Sequence, residues 1–339
     1  MRVYIFLLNS KSIGGIETVA RNLLSIFQKY SNSVDVQIVD LLEIKVQLGC
    51  ISTAELEACY RLIKQAKDGD VILSLYDRLT IQLLFSNLIL RKKIRIIGCQ
   101  HADYYANRIH TRILRRIIYN NAEKIVALTS TDSHHYKSVG IHNVEVIPNP
   151  LIFYPEHVPL FSERKNIVVA AGRLNKVKGF HYTLELASRM QEYKNISFNI
   201  FGDGEERDAL SSYAERLGIR PQDIFMGATS KLDYFLSKAK FLVVTSYRES
   251  FSMVILEAMA AGCIPISFDC PTGPRELIDD GVNGYLVPSG DIMKIKNIIE
   301  YLIDNPIAAE CIAANAREKA KSFTGPDIIC LWREVINEL

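Results

Sequence analysis

Apolar residues along this chain fall into short continuous runs rather than alternating with polar ones. In the first half the runs are residues 3–8, 34–39, 71–75, 94–99, 125–128 and 144–147. A strand that is apolar on both sides is covered on both faces, as in a parallel sheet with helices above and below. Between most runs the apolar positions change to helical spacing, as at Val19, Leu23, Leu24 and Phe27 after the first. The alternation returns at 167–171, 196–201, 224–227, 241–245 and 263–268, and from Asp291 onward successive helical patterns follow. This predicts an α/β chain of doubly wound, Rossmann-like sheets. Pro148, Pro150, Pro155 and Pro159 mark one break without periodicity. The predicted division is a first domain at 1–152, a linker at 153–165, a second domain at 166–322 and a last helix at 323–339, set off by Gly325-Pro326.

Composition narrows the class. The chain is 339 residues long, 48% hydrophobic and 23% charged, which suits two globular domains and excludes a disordered one. Seven cysteines are dispersed without a C-x-x-C pair, so a reducing compartment is expected rather than a disulfide framework. The apolar run at 3–8 is too short for a secretory signal core, and no run approaches a membrane span. The net charge of +2 hides an asymmetry: residues 1–155 hold 19 Lys+Arg against 13 Asp+Glu, the remainder 21 against 25. A basic first half suits an anionic partner, a lipid headgroup surface or a phosphate-bearing substrate. Nucleic acid is not expected, because no recognised binding motif accompanies the charge. The cations are dense at Arg91, Lys92, Lys93 and Arg95, and again at Arg108, Arg112, Arg115 and Arg116, around an apolar stripe of Ile109, Ile113, Leu114, Ile117 and Ile118. That helix either faces the core with a solvated basic side or lies in a membrane interface.

Candidate chemistry lies in the loops after the predicted strands, where ligands bind in open parallel sheets. Residues 247–257 read Y-R-E-S-F-S-M-V-I-L-E: Glu249 falls in a loop, and Glu257 roughly two turns into a helix at about 1.5 Å per residue. The two carboxylates could hold two hydroxyl-rich ends of one ligand. Equally, Glu257 could be a solvated helix residue and Glu249 an acid favoured by the helix dipole. In G-R-L-N-K-V-K-G-F at 172–180, Arg173 and Lys178 could clamp a diphosphate or be solvated loop cations. Gly14-Gly15 precedes a helix N-terminus, which favours anions, though such a pair can be a turn and nothing more. His101 follows the strand at 94–99, as a structural histidine or a ligand contact. Gly202-Asp203-Gly204 lacks the third glycine of a dinucleotide fingerprint. No His/Cys/Asp cluster has metal-ligand spacing.

The E-x7-E pair inside E-S-F-S-M-V-I-L-E-A-M-A-A-G-C-I-P-I, followed by G-P-R-E-L-I at 273–278 and G-V-N-G-Y-L-V at 281–287, resembles the signature of retaining glycosyltransferases of family four. The resemblance implies a GT-B fold, two Rossmann-like domains facing across a cleft with the last helix returning to the first domain. It implies a hexosyltransferase that moves a sugar from a nucleotide diphosphate donor, a UDP-sugar, to a glycan acceptor. The acceptor would be lipid-linked, as in assembly of bacterial O-antigen or capsule. By the same resemblance Arg173 and Lys178 bind the donor phosphates, Glu249 the donor sugar, and Glu257 the ribose. His101 faces the donor sugar and Gly14-Gly15 lie between donor phosphates and acceptor. Gly202 belongs to the donor pocket, the loop at Met226 lies against the base, and Phe251, Ser252 and Met253 offer backbone amides. The family most often has glycine where this chain has Ser252. Leaving-group charge is expected to be met by these cations without a metal or other cofactor, at the inner face of the cytoplasmic membrane. A sugar-nucleotide epimerase and a non-catalytic sugar-nucleotide-binding protein share the architecture. A nicotinamide dehydrogenase is disfavoured by the missing G-x-G-x-x-G after the first strand.

Overall fold

The structure is a computed structural model describing residues 1–11, 14–31, 34–41, 54–102, 104–105, 107 and 109–336. Arg108, Cys50 and the Ser12-Ile13 part of the first loop lie outside the described residues. The chain forms two compact units, Met1–Ile152 with Phe323–Leu339, and Phe153–Ser322.

The first unit runs β1 (Arg2–Leu7), α1 (Gly15–Tyr30), β2 (Asp35–Asp40), α2 (Ala54–Gln65), β3 (Val71–Ser74), α3 (Asp77–Leu90), β4 (Arg95–Gln100), α4 (Ile109–Ile118), β5 (Lys124–Ala127), α5 (Ser130–Ser138) and β6 (Val144–Val146). Its sheet has the order β2-β1-β3-β4-β5-β6, with every pairing parallel. The burial of β1 from Val3 to Leu7 and of all of β3 is why these strands read as unbroken apolar runs. One core joins Phe6, Ile72, Leu79, Ile96, Ile125 and Tyr136 on one side of this sheet.

The second unit runs β7 (Lys165–Ala171), α6 (Phe180–Arg189), β8 (Ser197–Phe201), α7 (Arg207–Arg216), α8 (Pro221–Ile224), β9 (Phe225–Gly227), α9 (Leu232–Lys238), β10 (Ala239–Val244), α10 (Met253–Ala260), β11 (Ile264–Phe268), α11 (Pro274–Leu277), β12 (Tyr285–Val287), α12 (Ile292–Asp304) and α13 (Pro306–Lys321). The order β12-β11-β10-β7-β8-β9 is again all parallel. Strand bounds differ from the apolar runs by one or two residues, because pairing extends onto flanking polar positions such as Lys165 and Lys124. The three-residue β12 was not predicted: Tyr285-Leu286-Val287 is apolar but shorter than the runs read as strands.

The last helix, α14 (Gly325–Ile336), belongs to the first unit. Trp332 meets Phe27 of α1 edge-to-face at 5.8 Å, and Arg95 of β4 donates to the Ile336 carbonyl at 2.8 Å. The backbone amide of Leu151 donates to the Phe323 carbonyl at 2.7 Å where the chain re-enters that unit.

Candidate active site

The second unit gathers four loops at the carboxyl edge of its sheet. The loops after β7 and β8 are stitched backbone to backbone: Gly172 N donates to Phe201 O at 3.0 Å, Leu174 N to Asp203 O at 2.9 Å, and Glu206 N to Leu174 O at 2.9 Å. This contact explains the G-x-G. A Cβ on Gly202 would stand 1.9 Å from the Gly172 carbonyl, and one on Gly204 2.4 Å from that of Leu174. Both glycines are there for close approach of two chains, with Gly202 at φ +136 as well. Its amide is held by the Gly227 carbonyl at 2.9 Å, just past Met226, which is 39% exposed.

The β7 loop is tied to the β10 loop in the same way. Asn175 accepts the amide of Lys178 at 3.2 Å through its side chain, Thr245 Oγ1 donates to Gly179 O at 3.0 Å, and Tyr247 N donates to Val177 O at 2.8 Å. The result fixes Lys178. Its Nζ lies 2.7 Å from Glu249 Oε1, a carboxylate 8% exposed that also accepts Ser246 Oγ at 2.6 Å. The Glu249 backbone is held in turn by Thr272 Oγ1, 2.6 Å from its carbonyl.

Not every predicted residue joins this cluster. Arg173 is highly exposed and pairs instead with Glu205 at 3.3 Å. A pair that exposed contributes at most about 1 kcal/mol, so the guanidinium can leave it for a phosphate at little cost. Glu257 is partly buried on α10, and burial, with the Asp233 carboxylate adding, raises its pKa to about 7. Ser252 takes φ 70 and ψ 73, the left-handed region that suits glycine, at the N-terminal end of α10. Its buried hydroxyl has no hydrogen-bond partner among the described residues. Phe251 is fully buried beside it, and Met253 opens a helix whose first amides have no intrahelical acceptor.

In the first unit, Gly14 is the extended residue before α1, and a Cβ there would stand 2.3 Å from Glu17 Oε2, whereas Gly15 faces open space. Glu17 is itself buried and accepts Tyr76 Oη at 3.0 Å. His101 follows β4, its Nε2 buried without a partner among the described residues; burial lowers its pKa to about 4, so the ring is neutral near pH 7. Asp68-Gly69-Asp70, a D-x-D pair, precedes β3, and its carboxylates accept the backbone amides of Lys93, Arg2 and Lys67. Most of the α4 stripe does not face the core: Ile109, Ile113, Leu114 and Ile117 are exposed, while Ile118 and Arg115 are buried. Sequence reasoning missed Ser246, Asn175 and Thr272, which orient Glu249 and Lys178; a lone hydroxyl or amide in a loop carries no periodic signal.

Residues 156–319 match the family described as glycosyl transferases group 1, nearly the whole second unit. The chain is 28% identical over 300 residues to the amylovoran biosynthesis glycosyltransferase of Erwinia amylovora, covering 84% of this chain and 83% of that protein. It is 27% identical over 287 residues to a Campylobacter jejuni alpha-1,4-N-acetyl-D-galactosaminyltransferase whose name specifies a diNAcBac-PP-undecaprenol glycan, with 83% and 78% coverage. The solved structure of Alr3699/HepE from Anabaena, in complex with UDP, superposes with a TM-score of 0.82 at 20% identity over the whole of both chains. The fold is therefore GT-B, as expected. By its domain and its relatives the chain is a glycosyltransferase.

Proposed function

We propose that this chain transfers a sugar from a UDP-sugar to a lipid-linked glycan, with retained anomeric configuration and without a metal, in the assembly of a bacterial surface polysaccharide. The observation that carries the reading is the Lys178–Glu249 pair, held at 2.7 Å between two loops that are themselves fixed by backbone bonds. A carboxylate so placed can accept donor-sugar hydroxyls while the neighbouring ammonium meets charge growing on the diphosphate as the glycosidic bond breaks. Arg173 adds a mobile guanidinium for the same phosphates. Amides at Phe251, Ser252 and Met253 supply the helix N-terminal contact to an anion. Glu257 is assigned to the ribose, and the loops at Gly202 and Met226 to the base side of the donor. Gly14 and Gly15 are assigned to the loop between donor phosphate and acceptor. Neutral His101 cannot supply positive charge near pH 7 and is assigned a hydrogen bond to a sugar hydroxyl. No side chain is assigned as nucleophile; the acceptor attacks on the departing face and its proton passes to the donor phosphate.

The UDP in the HepE structure and the undecaprenol diphosphate glycan in the C. jejuni protein's name support the donor and acceptor classes. Among the described residues no helix is long and apolar enough to cross a membrane. The enzyme is assigned to the cytoplasm, at the inner membrane face. The test is transfer from a panel of UDP-sugars to a lipid diphosphate-linked oligosaccharide in excess EDTA, with the new linkage read by NMR. Retained configuration at an undiminished rate is expected; inversion, or activity abolished by EDTA and restored by a divalent cation, contradicts it.

A further inference from the structure

Helix α4 is turned inside out. Of its ten residues, Arg115 and Ile118 are the buried ones, while Ile109, Ile113, Leu114 and Ile117 are 71%, 55%, 40% and 69% exposed. Those four form a single stripe, spaced at i, i+4, i+5 and i+8. What holds the helix this way is the buried arginine. Arg115 Nε lies 2.7 Å from Asp77 Oδ1, and the guanidinium also donates to the Tyr104 carbonyl at 3.2 Å and Tyr136 Oη at 3.3 Å. Asp77 is held further by Tyr119 Oη and Asn107 Nδ2, each at 2.9 Å. Rolling α4 to bury its isoleucines would carry Arg115 outward and leave the buried Asp77 without its ion partner, so the apolar face is fixed outward. On α3, which packs against α4, Phe85, Leu88 and Ile89 are each at least half exposed.

Charge on this layer identifies what covers it. Helix α4 contains no acid, and Arg116 is exposed on it. Arg112 stands over the rings of Tyr104 and Tyr105 at 5.5 and 5.0 Å. Past the end of α3, Arg91 and Lys93 are exposed, and the one acid of α3 is the buried Asp77. An apolar stripe flanked by cations fits a bilayer with anionic headgroups. A second copy of the same face would bring like charges together. We propose that α4 docks this enzyme on an anionic membrane leaflet, with Ile113 and Ile117 at the acyl boundary and Arg112 and Arg116 among the headgroups. This deepens the lipid-linked acceptor reading, on which it rests for its purpose, by naming the surface that would bring the enzyme to such an acceptor.

The test is co-sedimentation of the full chain with vesicles of phosphatidylcholine alone, and of phosphatidylcholine with phosphatidylglycerol, without any acceptor glycan. Wild-type protein is expected to bind the anionic vesicles and to be partly released by salt. The surface variant Ile113→Ser/Ile117→Ser is expected to bind roughly tenfold more weakly. Arg112→Gln/Arg116→Gln should lose the preference for the anionic vesicles. UDP-induced thermal stabilisation of both variants should match wild type, showing that they fold. Absence of wild-type binding, or unchanged binding by the isoleucine variant, overturns the proposal. So does concentration-dependent dimerisation that the isoleucine variant abolishes. Because the vesicles hold no acceptor, a negative result removes the docking face and leaves sugar transfer to be judged by its own assay.

Discussion

The carboxyl edges of the two sheets are held by different means. In the second unit the loops are fixed by backbone: glycines at 202 and 204 let two chains touch, and amide–carbonyl bonds tie β7 to β8 and to β10. Side chains such as Asn175, Thr245 and Thr272 add to these bonds, and Lys178 of the Lys178–Glu249 pair stays partly exposed. In the first unit the work is done by buried side chains, Asp77, Arg115, Tyr119, Tyr136 and Gln100, tied across α3, α4, β4 and α5. Backbone stitching leaves a sequence trace, because glycines at close approach cannot be replaced. A side-chain network leaves none, since an arginine that is buried reads like any other arginine.

That difference decides what was legible. The sheets were legible apart from the short β12, because parallel strands buried on both faces give runs such as residues 71–75. Glu249, Lys178 and Gly202 were expected in loops after strands, and the structure has them after β10, β7 and β8. The orientation of α4 was not: its stripe is a good amphipathic pattern, and only the Asp77–Arg115 pair, 38 positions apart, says which side is inward. Arg173 was expected beside Lys178, yet its long exposed side chain turned to Glu205.

The contrast can be broken most severely at the buried pair. Arg115→Leu leaves Asp77 charged and unpaired, and should cost about 3–5 kcal/mol of stability. Adding Asp77→Asn should restore a large part of that loss in denaturant titrations. If the single variant unfolds like wild type, the ion pair is not what sets α4.

In the second unit the sharpest handle is pH. Glu257, at about 7 when folded, lies above its ordinary 4.5, so the folded protein binds this proton more tightly than the unfolded chain. Its contribution to stability is present below about 4.5 and is lost as pH rises through about 7. If Glu257 accepts ribose hydroxyls as proposed, donor binding should run the opposite way, because its carboxylate is lost below about pH 7; the donor KM should rise as pH falls from 8 to 6. Glu257→Gln should flatten both curves, read by melting temperature and by initial rates. A smaller effect is expected at Ser252, where relief of the left-handed strain by Ser252→Gly should add about 1–2 kcal/mol, seen as a higher melting temperature.

The steady-state rate of sugar transfer by Lys178→Ala bears most directly on the assignment of the second unit's edge as the donor site. With the fold verified by its melting transition, the variant should lose roughly 10²–10³ in kcat, the scale of removing one preorganised charge stabiliser. A kcat within twofold of wild type would show that the ammonium beside Glu249 does not meet the departing diphosphate.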